Sequence, residues 1–212
     1  GAESARFTGL VSAQTHRTSR AQAPRTMLRA HGTRRNNLKR LKADLPKAFG
    51  VVYFVSEFRT ILDQVKHDVP PALEEFEVMC SYIDPTHEQP WDAPILCDIY
   101  NKCAAAAARV KEWREKVMVP YAAAAHDAST RGVVLSQPFP ASLMLCVCRG
   151  GKNRSRFAAL LISLLNGDNY TGEDPEDAQL TAMAHSLATT PPTMDDARRV
   201  PAKAGSKRRL GM

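Results

Sequence analysis

The segment from Leu143 to Gly167 restricts the fold of this chain more than any other. It opens with the apolar run Leu143-Met-Leu-Cys-Val-Cys148, too short for a helix of its own, and continues through Arg149-Gly-Gly-Lys-Asn153. From Arg154 onward, apolar residues recur at helical spacing until the glycine at 167. The pattern predicts a buried strand ending at Cys148, a short loop rich in glycine and cations, and a helix starting near Arg154.

A loop of this length that ends at a helix N-terminus can turn several backbone N–H groups inward as an anion nest. The helix dipole reinforces the same field. Such a field favours the thiolate over the thiol, and the thiolate is the nucleophile. Arg154 is placed to grip two oxygens of a tetrahedral oxyanion at once, which a lysine cannot copy. Gly150 and Gly151 are expected to supply the backbone freedom for a tight curl. Ser155 is expected to donate a hydrogen bond to the sulfur when it leaves. Arg149, Lys152 and Asn153 complete the expected phosphate-binding set.

The spacing Cys148, two residues, Gly151, two residues, Arg154, Ser155 resembles the signature loop of the cysteine-based phosphatases of the protein tyrosine and dual-specificity type. That resemblance implies an α/β, three-layer domain with a central, mostly parallel sheet flanked by helices. It also implies a phosphocysteine intermediate on Cys148; no cofactor is expected. One departure is visible. The family usually has histidine before the cysteine, where it orders the loop and favours the thiolate, and this chain has Val147.

The same chemistry needs a carboxylic acid to protonate the leaving oxygen. Within the family that aspartate follows an earlier strand, which makes Asp84 the first choice, Asp92 the second and Asp127 the third. His87 and His126 are candidate modulators. Arg149 and Lys152 are similar to the extra cations of phosphoinositide phosphatases, and Asn153 to the loop of metal-independent RNA 5′-triphosphatases. Expected substrates are therefore a phosphorylated protein, a phosphoinositide or an RNA 5′-triphosphate. The competing reading is a catalytically weak member of the family that binds a phosphorylated ligand or RNA, or serves as a structural subunit.

With 212 residues, 44% hydrophobic and 24% charged, the chain can bury one core, and a single domain with tails is expected. The formal charge of +7 favours anionic partners. Residues 1–47 hold eleven Lys and Arg against Glu3 and Asp44 alone, an arm suited to RNA or an anionic surface. An arginine-rich start also resembles an organelle transit sequence. Gly1 in place of methionine reads as a processing product or a residue left by cloning. Five cysteines without a regular framework point to a reducing, cytoplasmic or nuclear compartment. No apolar run approaches the roughly 20 residues of a membrane span, so a soluble protein is expected. No zinc site is expected: Cys146 and Cys148 lack a paired Cys-x-x-Cys or His spacing and are read as facing opposite sides of their strand.

In chain order, residues 1–33 read as a basic flexible arm, 34–200 as the phosphatase-like domain and 201–212 as a basic tail. Leu38, Leu41 and Leu45 predict a helix that Gly50 ends, and Val51–Val55 is the first predicted strand. Ser56 caps a helix from Glu57 to Lys66, with Phe58, Ile61, Leu62 and Val65 inward. A strand is predicted over Phe76–Ile83 and a long helix from Asp92 to about Val117. Residues 118–142 read as an insertion or long connection. A last helix is predicted from Asp174, with Pro175 in its first turn and Leu180, Met183, Ala184 and Leu187 inward.

Overall fold

Four parallel strands make one sheet in the computed structural model, which describes residues 27–65, 67–78 and 91–193. They are β1 (Met27–Gly32), β2 (Ala48–Tyr53), β3 (Glu74–Glu77) and β4 (Leu143–Cys148), in the order β1-β4-β2-β3. The helices are α1 (Arg35–Asp44), α2 (Glu57–Val65), α3 (Ala93–Trp113), α4 (Val119–Thr130), α5 (Arg154–Leu165) and α6 (Ala178–Thr189). Parallel strands need crossovers that cover the sheet, so a strand held between two neighbours is buried on both faces. All six residues of β4 are buried, which is why that strand reads as an unbroken apolar run.

Alternation along β4 divides the core. Leu143, Leu145 and Val147 pack with Leu41, Leu45, Phe58, Ile61 and Leu62, on the side of α1 and α2. Met144, Cys146 and Cys148 pack with Ile99, Cys103, Phe157, Leu161 and Leu180, on the side of α3, α5 and α6. The result is a helix–sheet–helix α/β arrangement. The two cysteines share a face, correcting the expectation that they oppose each other, because residues two apart on a strand point the same way. Among the described residues no group of His, Cys, Asp and Glu is placed to hold a metal, and no helix is long and apolar enough to cross a membrane.

Several boundaries differ from expectation. Residues 27–32, read as part of a flexible arm, form the edge strand beside β4, in register from Met27 with Leu143 to Gly32 with Cys148. Gly50 does not end a helix. It lies inside β2, where an added Cβ would meet Met144 Cε at 2.7 Å, so the residue makes room for a side chain of the next strand. The segment 118–142 begins with helix: a π-helical turn, Arg114–Met118, joins α3 to α4. Trp113 at that junction stacks on Phe49 of β2, with centroids 4.6 Å apart. The last helix starts at Ala178, capped by Asp177 on the Gln179 amide at 2.9 Å, and not at Asp174. The predicted strand beyond Val78 lies outside the described residues.

The helices that follow β1 and β2 cover one face, and the helix that follows β4 covers the other. At such a reversal a crevice opens outside the carboxyl ends of the strands. Cys148 ends the strand on which the reversal turns.

Candidate active site

Gly151, with φ +75°, curls the connection between β4 and α5 so that its N–H donates to Cys148 Sγ at 3.1 Å. The Cys148 thiol lies 3.2 Å from Ser155 Oγ, both buried. With the sulfur protonated, the thiol donates to the hydroxyl; with the sulfur ionised, the hydroxyl donates instead. Arg154 opens α5 and is 4% exposed. A guanidinium at the positive end of a helix is poorly placed unless negative charge is held there too. The loop thus brings a sulfur, an inward amide, a hydroxyl and a buried cation to one helix start.

Neighbouring elements hold this curl by its backbone. Thr33 N donates to Cys148 O at 3.0 Å, Arg34 N to Arg149 O at 3.2 Å, and the Asn37 side chain to Gly150 O at 3.2 Å. Gly151 lies directly on β1: a Cβ there would sit 2.6 Å from Gly32 N. Gly32 is equally confined, since its own Cβ would meet Gly150 C at 2.8 Å. The two backbones can approach so closely only without side chains. Gly150 has open space around its Cβ position and no positive φ, so of the two loop glycines only Gly151 is required by geometry.

The charged side chains of the loop diverge. Arg149 is exposed. Lys152 pairs with Glu176 at 3.0 Å. Asn153 joins the loop to the start of α6, its side-chain oxygen accepting from Asp177 N at 3.3 Å. Thr33 Oγ1 donates to Glu57 at 2.6 Å, linking the carboxyl end of β1 to the start of α2.

The two cysteines of β4 differ in environment. Burial pushes the Cys146 thiol well up, which keeps it protonated, whereas Cys148 stands at the strand end with the Gly151 N–H on its sulfur. Val147 is fully buried among apolar side chains on the α1 and α2 face. Opposite it in register stands His31 of β1, 9% exposed and 3.1 Å from Asp44, which also accepts from Arg29 at 2.7 Å. Burial holds the His31 imidazole below its ordinary value, against the opposing pull of Asp44.

Of the candidate acids, Asp84 lies outside the described residues, as does His87. The described chain leaves at Val78, just past the carboxyl end of β3, and returns at Trp91, which packs edge-on against Phe157 of α5 at 5.3 Å. Asp92 caps α3, accepting from Ile95 N at 3.0 Å. Asp127 is on α4, paired with Arg131 at 2.8 Å, and His126 is exposed beside it. α3 follows Trp91, which meets Phe157 early in α5, and ends with Trp113 stacked on Phe49 at the start of β2; α4, with both residues, continues from that far end. Gly32, Asn37, His31 and Trp91 were not singled out in the sequence. Gly32 and Asn37 meet the loop across more than a hundred residues of chain, and no local pattern marks such partners.

Compared with protein-family models, curated proteins and solved structures, the chain matches none.

Proposed function

We propose that this chain is a cysteine-dependent phosphatase of the protein tyrosine and dual-specificity type, acting on a phosphate ester or anhydride. One observation carries the reading: the Gly151 amide is aimed at Cys148 Sγ while Arg154, buried, opens the helix that follows. In the reaction, the Cys148 thiolate attacks phosphorus, and the S–P bond forms as the ester P–O bond breaks. Inward amides and Arg154 hold the equatorial oxygens. The leaving oxygen takes a proton from a carboxylic acid, for which Asp84 is the candidate, since Asp92 and Asp127 serve as a helix cap and in an ion pair. Water then attacks phosphorus, the S–P bond breaks, phosphate departs, and the Ser155 hydroxyl steadies the returning thiolate.

Turnover of para-nitrophenyl phosphate tests this. Cys148→Ser is expected to lower kcat by about 10³-fold or more, and Asp84→Asn to remove the limb of the pH profile that belongs to the acid. Full activity in Cys148→Ser would end the proposal. Activity that ignores Asp84→Asn would keep the phosphatase and discard the acid.

A second reading, a phosphate-binding module without turnover, is favoured by Val147. A side chain sealed in the apolar layer cannot assist the neighbouring sulfur. Absent turnover, together with phosphate-competable binding of a ligand, would decide for it.

A further inference from the structure

A groove of about 560 Å³ runs along the outer side of β1. Five consecutive residues of that strand, Leu28 to Gly32, line it. One wall is α1, with Arg40 and Ala43, the other carries Tyr170 and Arg156, and Gly151 of the loop is also in the lining. β1 is the edge of the sheet, and among the described residues no strand pairs with its outer side. Half of the N–H and C=O groups of an edge strand point away from the sheet and seek ladder partners.

We propose that this groove binds an extended, acidic segment of a partner protein, added to the sheet as a further strand beside β1. Five residues of strand span about 17 Å, the length over which a peptide backbone can pair. The ladder groups fit a polypeptide and not a nucleic acid or a lipid headgroup, which have no matching row of amides. Charge selects the sign. Within the groove Arg29 is held by Asp44 and Arg156 by Glu173, while no ion pair is formed by Arg40 among the described residues. The chain's own residues 1–26 carry Arg6, Arg17, Arg20 and Arg25 against Glu3, the same sign as Arg40, so charge favours a separate, acidic segment over this one as the occupant. The groove does not depend on the chemistry assigned to Cys148, so the two readings fail separately.

Amide exchange on the full chain, with a capped hexapeptide alternating Glu and Val as the probe, tests the proposal. Those amides of residues 28–32 that exchange fast in the free protein are expected to slow by about tenfold or more at saturating peptide. Ala43→Trp, an exposed position that would fill the groove, is expected to abolish this protection. Arg40→Glu is expected to weaken peptide binding about tenfold. Both variants are expected to keep the parent's thermal unfolding and para-nitrophenyl phosphate turnover. Unchanged exchange with peptide would overturn the proposal, as would equal protection by a Lys and Val peptide. So would finding every one of these amides already slow in the free chain, since the groove would then be covered from within. Ala43→Trp binding the peptide as well as the parent does would also overturn it.

Discussion

The two connections that flank β4 are built on opposite terms. The outgoing one, residues 149–153, is bonded through Arg149 O, Gly150 O, Gly151 N and Asn153 O to Arg34 and Asn37 at the start of α1, to the sulfur and to α5. The incoming one, residues 131–142, is bonded mainly to the end of α4 just before it, through Arg131 N on Asp127 O, Gly132 N on Ser129 O, Val133 N on Ala128 O and the Arg131–Asp127 ion pair, and reaches further through Ser142 N on Lys47 O and the edge-on pair Tyr121–Phe139 at 5.4 Å. Its apolar side chains are largely in solvent, Val134 at 90% and Phe139 at 59%. Apolar composition therefore does not by itself predict burial here. Constraint is concentrated at the carboxyl end of the sheet, where the proposed oxyanion site would need preorganised donors, and relaxed at the amino end, where the chain only has to return.

The sharpest challenge to this contrast is the same truncation on both sides. Phe157, fully buried in the first half of α5 and packed on Trp91, is expected to cost about 3–5 kcal/mol on change to alanine. Phe139→Ala is expected to cost less than about 1 kcal/mol. Denaturant unfolding measures both, and comparable losses would break the comparison.

Gly151→Ala should come next. Its φ of +75° strains any other residue, and the new Cβ would press on Gly32 N at 2.6 Å. A loss of about 1–3 kcal/mol is expected, together with phosphatase turnover reduced by about a hundredfold. Gly150→Ala, with open space at its Cβ, should leave stability within about 0.5 kcal/mol of the parent. If the two alanines behaved alike, the close approach to β1 would have no energetic meaning.

A smaller effect is set by pH. The backbone of His31 abuts Gly151, and burial keeps the folded-state pKa of its imidazole below the ordinary 6.5. Below pH 6.5 the unfolded chain takes up a proton that the folded chain refuses, so stability falls as pH drops from 6.5 toward the folded pKa. Unfolding midpoints between pH 7.5 and 5 should show this fall, and His31→Gln should flatten it. Protection against amide exchange, taken relative to the intrinsic rate at each pH, should fall over that range more at 149–153 than at 131–142. A slope unaltered by His31→Gln would assign the effect elsewhere. The least change is expected from Val134→Ser, within about 0.5 kcal/mol and toward better solubility, as judged by thermal unfolding.

What could be read in the sequence was whatever repeats locally. Helices α1, α2, α3 and α5 announced themselves by apolar spacing, Ser155 by its place after Arg154, and β4 by an apolar run too short for anything else. β1 escaped because Met-Leu-Arg-Ala-His-Gly is an edge strand, half solvated and basic, and its pattern matches that of a tail. Asp92 was open to two roles in the sequence. The Ile95 amide at 3.0 Å gives it that of a cap.

The amino-acid order by itself determined that a strand would run into a curled loop and a helix with Cys148, Gly151, Arg154 and Ser155 in fixed succession. Periodicity and glycine chemistry act over a few bonds and need no distant partner. Only the tertiary structure decided that Gly32, Asn37 and Thr33 brace that loop, and that β1 lines a groove at the sheet edge. It also placed Val147 in the apolar layer with His31 at its shoulder. Those contacts exist because strand order β1-β4-β2-β3 sets the first strand beside the last, joining residues more than a hundred apart whose fit no local pattern encodes.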